Sequence, residues 1–302
     1  MHHQQLIQIR SNNENIEQQP ENFSIENLNK KGVPVQTPAI HKGIAVFAVL
    51  LLMPVVFLVA DEPDANAKPA YPLSLKESSD LKKQLESQLT SLSTPAARAS
   101  NSTNVHSQRG DTLFFLGRFK ESVDEYQAMV ELDPGLESSH WRLGIALFFA
   151  DRPQDAVAQF EKYHAFDDVD RENGIWRYLS QFKATDAATA KKELLRYNKD
   201  DREPFPAVYK LFDESMTAAE ALANIPDDVG DSEKEKRLFY TELYIGMHMV
   251  VKQKNNEAKT YLSRAVSRKW PRTAGFGPNY MWHVARVQLD ELLKNKAADT
   301  GN

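Results

Sequence analysis

The chain of 302 residues contains no cysteine. That absence excludes disulfide staples, thiolate zinc sites, iron–sulfur clusters, a cysteine nucleophile and any thioether-linked lipid. With 12 glycines and 15 prolines, the chain is not a collagen or another Gly/Pro-dominated polymer. Positive charge is not in excess: 37 Lys and Arg stand against 42 Asp and Glu, for a net charge of −5. The basic face of a nucleic-acid binder is therefore not expected, and no nucleic-acid partner is assigned. The mean hydropathy of −0.53 excludes a polytopic membrane protein.

The signatures of catalysis are missing as well. His106, His140, His164, His248 and His283 show no H-E-x-x-H or other ligand spacing. There is no phosphate loop and no G-x-S-x-G, and Gly275-x-Gly277 lacks the third glycine and a preceding strand, so it reads as a turn. The acidic runs Asp167-Asp168-Val169-Asp170 and Asp200-Asp201 read as solvated turns between helices. No catalytic residue, metal or cofactor is expected, and the chain is read as a non-enzyme.

Residues 1–42 are polar, rich in Gln, Asn and Glu, and read as a disordered leader. Residues 43–60, GIAVFAVLLLMPVVFLVA, are 18 residues without a charge, enough to cross a hydrocarbon core. Lys30, Lys31 and Lys42 precede the run and Asp61, Glu62 and Asp64 follow it, which puts the N-terminus in the cytoplasm and the body outside. The run is either a signal peptide or a retained membrane anchor. Ala65-Asn66-Ala67 has the small-residue pattern of a cleavage site, whereas the long leader favours an anchor. Residues 61–102 form a linker carrying one amphipathic helix, 75–92, with Leu81, Leu85, Leu89 and Leu92 on one face.

The strongest pattern is a 34-residue repeat. Residues 103–136 align with 137–170, pairing Gly110 with Gly144, Ser122 with Ala156 and Tyr126 with Phe160. The register continues to Gly246 and Ala258, so 239–272 is a third clear repeat. Between them, 171–204 is degraded, with Tyr178 at the glycine position, and 205–238 is irregular, with short helices expected at 207–212 and 217–224. Small residues are required where two antiparallel helices cross, because a larger side chain would force them apart. Residues 273–294 hold an apolar cap helix, and 295–302 a tail. The fold class is thus all-α, an α-solenoid of antiparallel helical hairpins with a C-terminal capping helix.

The period and the run Leu116-Gly-Arg-Phe-Lys-Glu-Ser122 resemble the tetratricopeptide repeat. The segment Gly174-Ile-Trp-Arg-Tyr-Leu-Ser-Gln-Phe182 and the irregular insert are similar in their succession to a family of bacterial envelope tetratricopeptide lipoproteins, often called new lipoprotein I. The resemblance covers about residues 101–294. It implies a helical, usually dimeric adaptor that holds peptidoglycan hydrolases and a protease through protein contacts. The chain departs from that family in lacking the cysteine that carries the lipid, so a membrane-spanning or cleaved leader would replace the lipid anchor.

In such repeats the first helix of each hairpin lines the concave face. Ser107 and Asp111 stand on it in the first repeat, and the rest is apolar: Phe114, Phe115, Trp141, Ile145, Phe148, Phe149, Ile175, Leu179 and Phe182. A groove of this kind is expected to take a partner helix or peptide, or else to be filled by self-coverage or a homodimer. The function expected is a non-catalytic adaptor at the cell envelope. The alternative is a membrane-tethered assembly factor whose groove is filled by its own dimer. N-terminal sequencing of the exported protein separates the two leader readings: a first residue of Lys68 removes the anchor, and retention of 43–60 removes the cleavage site.

Overall fold

A computed structural model describes residues 72–95, 102–199 and 201–299, and the leader, the apolar run and the cleavage motif all lie outside these residues. Among the described residues there are α-helices and short 3-10 turns and no strands. No helix among them is long and apolar enough to cross a membrane.

Helix α1 spans Leu75–Leu92 and is closed by a capping box. Ser74 Oγ accepts from the Glu77 amide at 3.1 Å, and the Glu77 carboxylate accepts from the Ser74 amide at 2.8 Å. Leu85 buries its face. Two regular hairpins follow: α2 (Thr103–Phe115) with α3 (Phe119–Leu132), then α4 (Trp141–Phe149) with α5 (Pro153–Phe166). The next pair is α6 (Arg171–Ala184) with a truncated α7 (Ala187–Lys192). Short helices α8 (Phe205–Tyr209) and α9 (Ala218–Ala223) lead into the hairpin of α10 (Asp231–Val251) and α11 (Asn255–Ser267). Helix α12 (Phe276–Asp299) ends the described chain.

The three regular hairpins share one turn. Gly117, Asp151 and Gln253 have φ of 74°, 61° and 58°, the left-handed conformation that closes a helix C-terminus. They are spaced by the repeat or by a multiple of it. In each turn the following amide reaches back to the last helical turn: Arg118 to the Leu113 carbonyl, Arg152 to Leu147 and Lys254 to Met249, at 2.9–3.0 Å.

The crossing points share one steric rule. A Cβ on Gly110 would lie 2.4 Å from the Tyr126 ring, one on Gly144 2.6 Å from Phe160, and one on Gly246 2.7 Å from Leu262. The large residue sits sixteen positions after the small one each time. Ser122, Ala156 and Ala258 are fully buried twelve positions after the same glycines. Ser122 adds a bond, its Oγ donating to the Gly110 carbonyl at 2.8 Å. In the degraded repeat the small residue has moved one turn earlier: Gly174 lies under Tyr197 and Tyr209, where a Cβ would meet their hydroxyls at 2.6 and 2.8 Å. Tyr178 then becomes a core residue, packed edge-on against Phe212.

Some boundaries differ from the sequence expectation. The helix expected at 207–212 begins at Phe205, with Pro206 in its first turn, and stops at Tyr209. The last regular hairpin starts at Asp231 rather than 239, because Gly230 caps a polar, acidic first turn rich in helix formers. The tail expected from 295 is helical to Asp299.

One cluster of buried side chains runs from Leu73 to Leu292. Three stretches are enclosed on all sides: most of α6, Phe239–His248 of α10, and Tyr280–Leu289 of α12. The array curls far enough for α12 to pack on both α11 and the first hairpin.

Gly144→Ala is expected to lower stability by about 1–3 kcal/mol despite the gain in helix propensity. A second change, Phe160→Leu, should recover part of the loss. Thermal melts of the two variants check this, and equal melting of Gly144→Ala and the parent refutes the steric rule.

Candidate functional site

The nine residues of the expected groove form one aromatic and aliphatic layer. Phe114, Ile145, Phe148, Ile175 and Leu179 are buried, while Phe115, Trp141, Phe149 and Phe182 are partly covered. Edge contacts link Phe114 to Phe149 at 5.2 Å and Phe148 to Trp176 at 5.6 Å. Trp176 continues the layer to α10, its indole N–H donating to the Tyr244 hydroxyl at 3.2 Å.

This layer is not an open trough. Helix α12 lies on its first part, at Phe114, Phe115 and Trp141. Tyr280 stacks on Phe114 at 5.2 Å and meets Trp141 edge-on at 4.9 Å, and His283 stacks on Phe115 at 3.8 Å. Arg286 donates to the Phe115 carbonyl at the C-terminal end of α2, where a cation also favours the helix dipole. Tyr280, His283 and Arg286 fall at helical spacing on one face of α12. From the other face, Trp282 donates to the Val266 carbonyl at 2.9 Å. At Phe114, Phe115 and Trp141 the expectation of an open groove is corrected and that of self-coverage holds: the occupant is the C-terminal helix of the same chain. Neither Trp141 nor Phe148 is therefore a free anchor, and truncating the buried Phe148 would cost about 3–5 kcal/mol of stability.

Beneath the layer Ser107 and Asp111 of the inner face enter a buried polar knot whose partner, Arg142, the sequence did not reveal. Arg142 donates to Asp111 at 2.7 and 2.9 Å and to Ser107 at 2.9 Å. Tyr126 donates to Asp111 at 2.6 Å, which leaves its oxygen to accept from Tyr280 at 3.3 Å. The Arg142 guanidinium also faces the rings of Tyr126 and Phe276. Burial pushes the Asp111 carboxyl up, and Arg142 opposes that shift. Removing one partner would strand the other charge in a dry environment. The knot joins α2, α3, α4 and α12. Arg142 was hidden by its setting between Trp141 and Leu143.

The acidic runs are also resolved into contacts. Asp170 accepts from the Glu172 amide at 3.0 Å and Asp201 from the Arg171 amide at 2.9 Å. Arg202 bridges Asp170, Glu172 and Asp201. Burial raises Glu172 to about 7, opposed by Arg202. Asp200 lies outside the described residues. No group of three or more His, Asp or Glu side chains that could hold a metal occurs among the described residues.

The histidines of the body serve the packing. His140 caps α4, its Nδ1 accepting from the Leu143 amide at 3.2 Å. Burial, aided by Arg142, holds its pKa down at about 3. His248 faces Phe212 and Tyr178, and burial with Lys252 holds it at about 4. His106 pairs with Glu125 at 2.7 Å at the base of α1.

Residues 81–170 match the model of a family described as a bacterial transcriptional activator domain, a helical, tetratricopeptide-like superhelical family. The match begins within α1, covers the two regular hairpins α2–α5, and ends at Asp170, which caps α6.

Because the folded pKa values of His140 and His248 lie below that of free histidine, their neutral forms stabilise the fold above pH 6.5. That contribution is lost as the pH falls toward 4, on the order of 2 kcal/mol per group. Chemical denaturation at pH 7.5 and 4.5 should show a smaller difference for the double variant His140→Asn/His248→Gln than for the parent. An unchanged difference would rule out these two groups as the acid-sensitive element.

Proposed function

We propose that the chain is a non-catalytic protein-interaction scaffold. The carrying observation is that the two regular hairpins which match the activator-domain family are locked into a body closed by its own C-terminal helix. Such a body presents fixed outer surfaces and undergoes little rearrangement on binding. Partner segments dock on the outside of the hairpins, since α12 covers Phe114, Phe115 and Trp141 of the inner layer.

The finer reading places this scaffold at the cell envelope. The uncharged run 43–60, with lysines before it and acids after it, supports a tether or export signal with the body outside the cytoplasm. The resemblance to envelope tetratricopeptide lipoproteins supports cell-wall hydrolases or proteases as the partner class. A second reading is favoured by the family match: the hairpins would serve as the interaction module of a regulator of transcription, in which case partners on the nucleic-acid side are in play.

Photo-cross-linking of the full chain in its own cells, followed by mass spectrometry, tests the reading. A protein partner cross-linked to the outer faces of α3 and α5 is expected, with α12 silent. Cross-links confined to a second copy of the chain would replace the scaffold reading with self-assembly. A cell-wall hydrolase as partner supports the envelope reading, and a component of transcription supports the second.

A further inference from the structure

One arginine answers three carboxylates at the start of α6. Asp170 caps the helix, Glu172 stands in its first turn, and Asp201 accepts from the Arg171 amide at 2.9 Å. All three turn to the Arg202 guanidinium, at 3.4, 2.5 and 3.2 Å for Asp170, Glu172 and Asp201. Their side chains are 20%, 14% and 8% exposed, so water screens their repulsion weakly. With all three ionised, the three carboxylates and one guanidinium carry a net charge of −2.

The three carboxylates are not equivalent. Backbone amides favour the ionised aspartates: Asp170 accepts from Glu172 at 3.0 Å, and Asp201 accepts from Arg202 at 2.6 Å as well as from Arg171. Glu172 accepts instead from a hydroxyl, that of Tyr244 on α10, which in turn accepts from the Trp176 indole at 3.2 Å. Tyr163 of α5 and Tyr240 of α10 also face the cluster, and burial keeps both phenols neutral. Like charges that share one site push one of their number toward its protonated form. Glu172, held by a hydroxyl where the aspartates hold amides, is the one that yields. Burial and the neighbouring aspartates raise it to about 7, with Arg202 opposing. Burial raises Asp170 as well, against Arg202 and the Glu172 amide.

We infer that this cluster is a proton-linked latch: the folded body takes up one proton on Glu172 and holds α6 to α10 more tightly with that proton than without it. The latch sits where the family-matched hairpins end, and α10 carries, through α11, the helix that covers Phe114, Phe115 and Trp141. Because Glu172 titrates higher in the fold than its ordinary value of 4.5, its contribution is full below that pH and is lost as the pH rises through about 7. The sign is opposite to that of His140 and His248.

Carboxyl carbon-13 NMR of the glutamate-labelled full chain should show one glutamate titrating near pH 7, absent from Glu172→Gln. Asp170→Asn keeps a capping side chain but removes one negative charge, so it should move that midpoint down by about one unit. Hydrogen exchange, corrected for the intrinsic rate, should show α6 and α10 opening about tenfold more often at about pH 8 than at about pH 6, with no such difference in Glu172→Gln. A Glu172 midpoint in the ordinary carboxylate range overturns the proposal. So does an unchanged midpoint in Asp170→Asn, or a difference in opening that survives in Glu172→Gln. Should Glu172→Gln fail to fold, the titrations of the parent and of Asp170→Asn decide alone.

Discussion

The body depends on one long-range contact, the seating of α12 against the first two hairpins. Tyr280 reaches across the array to Phe114, Trp141 and the Tyr126 hydroxyl, and Arg286 reaches the end of α2. Each fully buried aromatic of this kind stabilises the fold by about 2–3 kcal/mol. A helical array held only by nearest neighbours opens from its ends. Here the last helix touches the first hairpin, so neither end of the described body is a simple terminus. The polar knot of Asp111, Arg142, Tyr126 and Tyr280 adds direction to this seating. Its hydrogen bond to α12, between Tyr126 and Tyr280, is made only when α12 occupies one position, whereas apolar packing alone tolerates sliding.

That closure decides where function can reside. Most of the inner layer is spent on the fold. What remains for a partner is the outside, where Leu75, Leu132, Phe166, Phe276 and Leu293 are the large apolar residues exposed among the described residues. The buried histidines follow the same logic. Burial keeps His140 and His248 neutral, so they tie the pH range of stability to the packing.

The repeat was legible because its constraint is local. A small residue, a small residue twelve positions on, and a bulky one sixteen positions on are set by the crossing of two helices joined by a tight turn, and the pattern survives in Gly110, Gly144 and Gly246. The degraded repeat escaped the same reading for a physical reason. Its small residue, Gly174, is shifted by one turn, and its bulky partners, Tyr197 and Tyr209, come from outside any hairpin. Arg142 was illegible because an arginine within an apolar run looks like a surface residue snorkelling outward; only the neighbouring hairpin supplies Asp111. Self-coverage of the aromatic residues was one of the sequence readings, but that α12 supplies it was not.

The sequence by itself determined the helical class, the 34-residue register, the turns and the small-over-large crossings, because each is fixed by residues within one hairpin. It also set the apolar run and its charged flanks, which lie outside the described body. Only the tertiary structure decided that α12 reaches the first hairpin, that it covers Phe114, Phe115 and Trp141, and that Arg142 meets Asp111. Those outcomes depend on the accumulated rotation from hairpin to hairpin. That rotation is a sum of small packing angles, and no single stretch of sequence encodes it.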